Sequence, residues 1–303
     1  MRLLDLLRKS TEYLEAAGID DALSEAEMLV FHAVNRDRLD AYIENPEIKS
    51  ADSAKVRRLL QRRVKGEPVQ YIIGHIEFLG QTIRVGKGVL IPRPETELLV
   101  EAAIETAKGY RQERRGAKGK GQRAKGSEIP LVFSHEPLAI LDLCTGSGCI
   151  ALALAREFPD AVVHGTDLSK EALAYARINA KANDIKNVKF LQGSLFEAVK
   201  GKKFDIITAN PPYIRRDEIE TLQREIRDWE PVAALDGGMD GMDFYRAIFS
   251  SAGCFLNPGG FIFLELGYDQ AESAQKIAHA EGFREVTIIN DYAGIGRILK
   301  ARA

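Results

Sequence analysis

Leu138-Ala139-Ile140-Leu141-Asp142-Leu143-Cys144-Thr145-Gly146-Ser147-Gly148 joins a short apolar run to a loop of small residues. The run has the length of a buried strand, and Cys149 to Phe158 beyond it carries a helical pattern. Strand, glycine loop and helix in that order let ligand atoms approach bare backbone at the head of a helix. Read with Ala151, the loop also fits G-x-G-x-x-A, and Asp167 follows Gly146 by 21 residues. An acid at the end of the second strand can hold both hydroxyls of a ribose. The pair reads as the site of a ribose-bearing ligand, with NAD and S-adenosylmethionine both open on these residues alone.

Working outward, strand and helix patterns alternate from Pro137 to the C-terminus. Ala161–Thr166 is a strand, Ser169 an N-cap and Lys170–Ala182 a helix; Val188–Leu191 and Phe204–Ala209 are strands. Residues 241–256 read as a helix, Asn257-Pro258-Gly259-Gly260 as a turn, Phe261–Leu266 as a strand and 269–281 as a helix. Val286–Ile289 and Gly296–Leu299 are separated by too few residues for a crossover helix, so they predict an antiparallel hairpin. The expected fold is α/β, a doubly wound Rossmann-like domain with an antiparallel edge strand.

Ahead of it, residues 1–74 predict a small helical bundle. Leu3, Leu4, Leu7, Tyr13 and Leu14 share one helical stripe; Val56, Leu59, Leu60 and Val64 share another. Ser24 and Glu27 have capping-box spacing, predicting a helix that opens at Ser24. Residues 75–137 then hold a hairpin, a helix and a basic linker, and 138–303 the α/β domain. Arg93 stands between Pro92 and Pro94, and reads equally as a solvated residue or as one held over a neighbouring pocket. Residues 108–126 carry a charge of +7 against −9 for the rest of the chain. With five glycines, that stretch predicts a flexible loop, solvated in the first reading and an RNA contact in the second.

Asn210-Pro211-Pro212-Tyr213 closes the Phe204–Ala209 strand, at the end where open α/β sheets bind ligands. The prolines stiffen the backbone and leave their carbonyls as acceptors. The Asn210 oxygen and a proline carbonyl can together accept both N–H bonds of a planar –NH2 group, and Tyr213 can stack on its plane. Such a nitrogen is a weak nucleophile that becomes positive as it takes a methyl group. Acceptors placed in advance therefore gain strength in the transition state, which lowers the barrier. This favours methyl transfer from S-adenosylmethionine over hydride transfer from NAD.

Composition is that of a globular chain, 45% hydrophobic and 28% charged over 303 residues. The longest apolar runs, such as Phe261–Leu264, are far short of a membrane span, and Arg2 and Asp5 interrupt any leader-like stretch. Cys144, Cys149 and Cys254 form no C-x-x-C pair, and the five histidines are scattered, so no metal site is expected. The reading is a cytoplasmic protein with reduced thiols.

Taken together, the chain resembles the release-factor glutamine methyltransferases. The resemblance rests on Ile91-Pro92-Arg93-Pro94-Glu95-Thr96-Glu97, Leu141–Gly148 and Asn210-Pro211-Pro212-Tyr213-Ile214. It extends to Glu230-Pro231, Ala234-Leu235-Asp236-Gly237-Gly238, Gly260–Glu265 and Asp291-Tyr292 to Gly296-Arg297. It implies S-adenosylmethionine as donor and, as acceptor, the glutamine amide of the Gly-Gly-Gln loop in class I peptide chain release factors. It further implies that Cys144, Thr145, Gly146, Ser147, Gly148, Asp167, Leu195 and Asn210 contact the cofactor. Asn210, Pro211, Pro212 and Tyr213 would hold the glutamine amide, and the helical N-terminus would help dock the protein substrate. The expected enzyme is a monomer that needs neither membrane nor nucleic acid. Three positions depart from the family pattern: Cys144 where glycine is common, Ser194 where aspartate is common, and Leu195 where an aromatic is common. The tetrapeptide alone is shared with enzymes that methylate amino groups of DNA or ribosomal RNA, which is the alternative reading.

Overall fold

The computed structural model describes residues 1–120 and 137–303, which form two compact units. The first comprises Met1–Ile76, Val85–Ile91 and Glu220–Pro231, and the second the remainder. This corrects the linear division at residues 74 and 137, because two later segments belong to the helical unit.

The first unit is built on α1 (Leu3–Glu15), α2 (Ala22–Val34), α3 (Arg38–Glu44), α4 (Ser50–Val64) and α5 (Val69–Ile73). Leu3, Leu7 and Leu14 of α1 meet Ala26, Leu29 and Val30 of α2 and Val56, Leu59 and Leu60 of α4 in one core. Tyr13, expected on the same stripe, is exposed instead. Helix α2 opens at Ala22 with Asp21 at the cap position, so Ser24 lies inside it. Glu27, expected to complete a capping box, is engaged by Tyr42 and Arg38. The later segments are drawn in by specific bonds. Arg63, 3% exposed, donates to Glu25 at 2.5 and 3.0 Å and to Glu225 at 3.1 Å, while the Ile91 N–H donates to Glu230 at 3.1 Å.

A small hairpin, β1 (His75–Phe78) and β2 (Gln81–Arg84), precedes α6 (Glu95–Lys120). Leu99, Val100, Ala103, Ala107 and Tyr110 form the buried stripe of α6, at helical spacing. Lys108 pairs with Glu157 at 2.6 Å, and Arg111 pairs with Asp160. The expectation of a loop from 108 is therefore corrected up to Lys120. A helix already docked along its buried stripe propagates at little cost per residue. Residues 121–126 lie outside the described residues.

The second unit continues through β3 (Ala139–Leu143), α7 (Cys149–Glu157), β4 (Val162–Asp167), α8 (Lys170–Ala182), β5 (Val188–Gln192) and β6 (Phe204–Ala209). The short helix α9 (Arg224–Arg227) belongs to the first unit. Then come α10 (Asp243–Ala252), β7 (Leu256–Glu265), α11 (Ala271–Ala280), β8 (Arg284–Asn290) and β9 (Gly296–Arg302). Ser169 caps α8 as expected, accepting from the Ala172 N–H at 3.1 Å. The seven strands lie in the order β5-β4-β3-β6-β7-β9-β8. Strand β9 runs antiparallel and is inserted between β7 and β8, so the expected hairpin is present with its second strand one place in from the edge. Asn257–Gly260, expected as a turn, is an irregularity inside β7 opposite Asp205. Order reverses between β3 and β6, where a doubly wound sheet opens its ligand crevice.

Candidate active site

Register puts the chemistry on one line. Leu143 stands opposite Thr166 on one side and Ala209 on the other, and Ala209 stands opposite Leu264. The next residues of the four strands are thus neighbours along the carboxyl edge, in the order Asp167, Cys144, Asn210, Glu265. Adjacent strands lie about 4.8 Å apart, so these four positions stand side by side along the carboxyl edge of the sheet.

The glycine loop is pinned to the sheet from below. The Thr145 N–H donates to the Thr166 carbonyl at 3.0 Å, and the Thr145 hydroxyl donates to Asp142 at 2.5 Å. Asp142 also accepts from the Thr208 hydroxyl at 3.0 Å. Gly148 caps α7 with φ of 84°; a Cβ there would sit 3.1 Å from both Ala176 and Phe190. Only glycine meets both demands. Cys144 has φ of 52°, the left-handed region, which explains why a glycine suits this position. The Gly146 N–H donates to Asp167 Oδ2 at 2.9 Å and the Ser169 N–H to Oδ1 at 2.8 Å, so the acid is aimed by the loop it serves. The buried Ser147 hydroxyl has no hydrogen-bond partner among the described residues. Leu195 lies in the loop after β5, where its carbonyl accepts from the Thr166 hydroxyl at 3.0 Å.

Asn210 is half-buried, Pro211 and Pro212 are buried, and Tyr213 is half-buried. The Tyr213 carbonyl accepts from Gln270 Nε2 at 2.8 Å, and the Ile214 N–H donates to the Leu235 carbonyl at 2.9 Å. The segment behind the tetrapeptide presses close. A Cβ on Gly241, whose φ is 73°, would lie 2.5 Å from the Tyr213 oxygen. This gives the glycines after Leu235 a physical role that spacing did not reveal. Asn210 Nδ2 donates to the Thr96 hydroxyl at 3.2 Å, and that hydroxyl donates to Glu265 Oε2 at 2.7 Å. Thr96 and Glu265 are missing from the residues expected at the site. The signals were an acid ending the apolar run Phe261–Leu264, and a threonine two places after the Pro-Arg-Pro triplet.

Burial pushes the Asp142 carboxyl up to about 7, against its hydrogen bonds from Thr145 and Thr208. Glu265 is likewise raised to about 7 by burial, opposed by the Thr96 hydrogen bond and the charges of Arg297 and Arg93. Asp167 is raised by burial and held down by its backbone donors. Burial also raises the Tyr213 hydroxyl and the Cys144 thiol, and pushes the Cys149 thiol up to about 12, so neither cysteine is a thiolate at neutral pH. The charge of Arg93 acts on both Tyr213 and Glu265, which favours the second of its two readings. The arrangement offers aimed acceptors and a stiff acceptor-rich turn. Catalysis on such a rim proceeds by positioning and electrostatics.

Among the described residues no helix is long and apolar enough to cross a membrane. Residues 5–74 match the family model described as the PrmC N-terminal domain, and residues 121–228 that described as the methyltransferase small domain. The release factor glutamine methyltransferase of Thermodesulfovibrio yellowstonii is 44% identical over 277 residues, spanning 91% of this chain and 91% of that one. That of Geobacter sulfurreducens is 39% identical over 295 residues, spanning 96% and 93%. Among solved structures, the hMettl16 catalytic domain in complex with an RNA hairpin has a TM-score of 0.51 at 14% identity. It covers 84% of this chain and 81% of that one, a likeness of fold.

Proposed function

The chain belongs to the release factor glutamine methyltransferases, and from that membership we propose the reaction its site carries. The enzyme transfers a methyl group from S-adenosylmethionine to the side-chain nitrogen, N5, of the glutamine in the Gly-Gly-Gln loop of class I peptide chain release factors. The observation that carries this reading is the place of Asn210, between the glycine loop and a buried acid on one rim of the sheet.

The residues present fit the cofactor. Around Gly146 the nearest atom to an added Cβ is 3.9 Å away, leaving backbone open to a ligand, and Ser147 offers an unspent hydroxyl. When bound, S-adenosylmethionine supplies an electrophilic methyl on a sulfonium sulfur, S-adenosylhomocysteine being the product. Asp167 accepts from the ribose hydroxyls, its carboxylate already turned by the Gly146 and Ser169 N–H groups. Cys144 to Gly148 would hold the cofactor through backbone, with Leu195 as a further contact. Asn210 Oδ1 and a proline carbonyl accept the two N–H bonds of the glutamine amide, and Tyr213 stacks on its plane. As the nitrogen gains positive charge its N–H bonds become stronger donors, so these acceptors bind the transition state better than the ground state. The helical unit helps dock the protein substrate. The enzyme acts in the cytoplasm as a monomer and without nucleic acid.

Intact-mass spectrometry of a class I release factor, after incubation with this protein and S-adenosylmethionine, tests the reaction. The reading expects a gain of one methyl group on the wild-type factor and none when the loop glutamine is replaced by alanine. Absence of any gain on the wild-type factor, with the cofactor bound, would overturn it in favour of a nucleic-acid acceptor.

A further inference from the structure

The two ends of an asparagine amide are nearly equal in shape and opposite in function: Oδ1 accepts and Nδ2 donates. A substrate amide that presents N–H bonds needs Oδ1, and a flipped Asn210 would set donor against donor. Something must decide which end faces the crevice.

We infer that Thr96, itself fixed by the carboxylate of Glu265, sets the orientation of the Asn210 amide, and that both are positioning residues for methyl transfer. This rests on the reading above that Asn210 accepts from the reacting amide. The proton inventory of the three side chains fixes the orientation. Thr96 has one hydroxyl proton, and an ionised carboxylate can only accept, so that proton goes to Glu265 Oε2, 2.7 Å away. The Thr96 oxygen is then an acceptor, and the Asn210 atom 3.2 Å from it must be the nitrogen. Flipping the amide would face Oδ1 against an oxygen with no proton left to give. Thr96 and Glu265 are each 1% exposed, so no water relieves that mismatch and neither side chain reaches the substrate.

Glu265 is anchored in turn. Its backbone carbonyl accepts from the Tyr245 hydroxyl at 2.9 Å, and its Oε1 lies 3.5 Å from the Tyr213 hydroxyl. One buried carboxylate therefore reaches both ends of the tetrapeptide, Asn210 through Thr96 and Tyr213 directly. The charged groups acting on it are Arg93 and Glu95, from the stretch that opens α6, and Arg297 from β9. Burial raises the carboxyl to about 7, so assays at about pH 8.5 keep it ionised. The Pro92–Glu97 stretch thereby acquires a second purpose, supplying the hydroxyl that lies between Asn210 and Glu265.

The test compares wild type, Thr96→Val, Thr96→Ser, Glu265→Gln and Asn210→Ala in single-turnover methyl transfer, with KM for the release factor and cofactor affinity by calorimetry. Thr96→Val keeps the volume and removes the hydroxyl; we expect about a 100-fold loss in rate, with KM and cofactor affinity nearly unchanged. Thr96→Ser restores most of the rate, because the proton count is the same. In the Asn210→Ala background Thr96→Val has little further effect, since there is no amide left to orient. Should Thr96→Val fail to fold, Glu265→Gln reads the same point with a smaller expected loss, about 10-fold, because a carboxamide no longer dictates where the hydroxyl proton goes. A Thr96→Val rate near wild type, beside a slow Asn210→Ala, would overturn the inference, as would an equal loss in both backgrounds. A wild-type rate for Asn210→Ala would instead overturn the reading on which it rests.

Discussion

Cys144 holds a left-handed backbone on a residue that bears a Cβ, next to the open face of Gly146. Removing that Cβ relieves strain of about 1 kcal/mol. Cys144→Gly should therefore raise the urea midpoint, and a fall would show that the thiol's packing outweighs the strain. Asp142 is the other residue whose environment is measurable in isolation. A carboxyl with a folded pKa of about 7 and an ordinary value of 3.8 binds more protons folded than unfolded between those two values. Its contribution to stability thus falls as pH rises from about 4 to about 7, by at most about 1.4 kcal/mol per pH unit. Asp142→Asn should flatten the stability profile across that window, when urea midpoints are taken at several pH values. An unchanged slope would mean that Asp142 keeps an ordinary carboxylate pKa.

Elements decide how far those residues could be read in advance. The apolar run before the glycine loop, the acid ending β4 and the tetrapeptide ending β6 are each local patterns, and each predicts its own position at a strand end. Glu265 and Thr96 were hidden because their meaning is long-range: neither has a partner within one element, and the hydrogen bond between them joins α6 to β7. The wrong cap at Ser24 and the helix continuing through residue 108 have a related cause. In both, tertiary partners outweighed local chemistry: Tyr42 and Arg38 took Glu27, and the buried stripe with its flanking ion pairs carried α6 onward. Gly241 was equally silent in sequence, since its importance lies in the Tyr213 oxygen pressed against it. Gly241→Ala adds a Cβ 2.5 Å from that oxygen at a φ of 73°, so the tetrapeptide must shift. Methyl transfer should drop about 100-fold while far-UV circular dichroism stays that of the wild type. Full activity would show that the turn tolerates displacement.

Over the whole molecule, the change of hydrophobic period along the chain announces a helical part ahead of an α/β part, but the helical unit's two later segments are silent in sequence. Nothing in Val85–Ile91 or Glu220–Pro231 announces a partner 139 or 162 residues away. Only folding brings Arg63 to Glu225 and Ile91 to Glu230. Arg63 is the keystone of that arrangement, a buried cation between two acids. Arg63→Ala should cost about 3 kcal/mol, read as a lower midpoint for the helical unit in scanning calorimetry. A loss under about 0.5 kcal/mol would place it among ordinary surface pairs.

Asn210, as the acceptor that binds the methylated nitrogen more tightly as the bond forms, carries the proposed reaction. The direct measurement is the single-turnover rate of methyl transfer to a class I release factor for Asn210→Ala against wild type, with cofactor affinity taken in parallel. Loss of one such preplaced group is expected to slow the step by about 100- to 1,000-fold while cofactor affinity changes little. Comparable rates for the two proteins would contradict that role for Asn210.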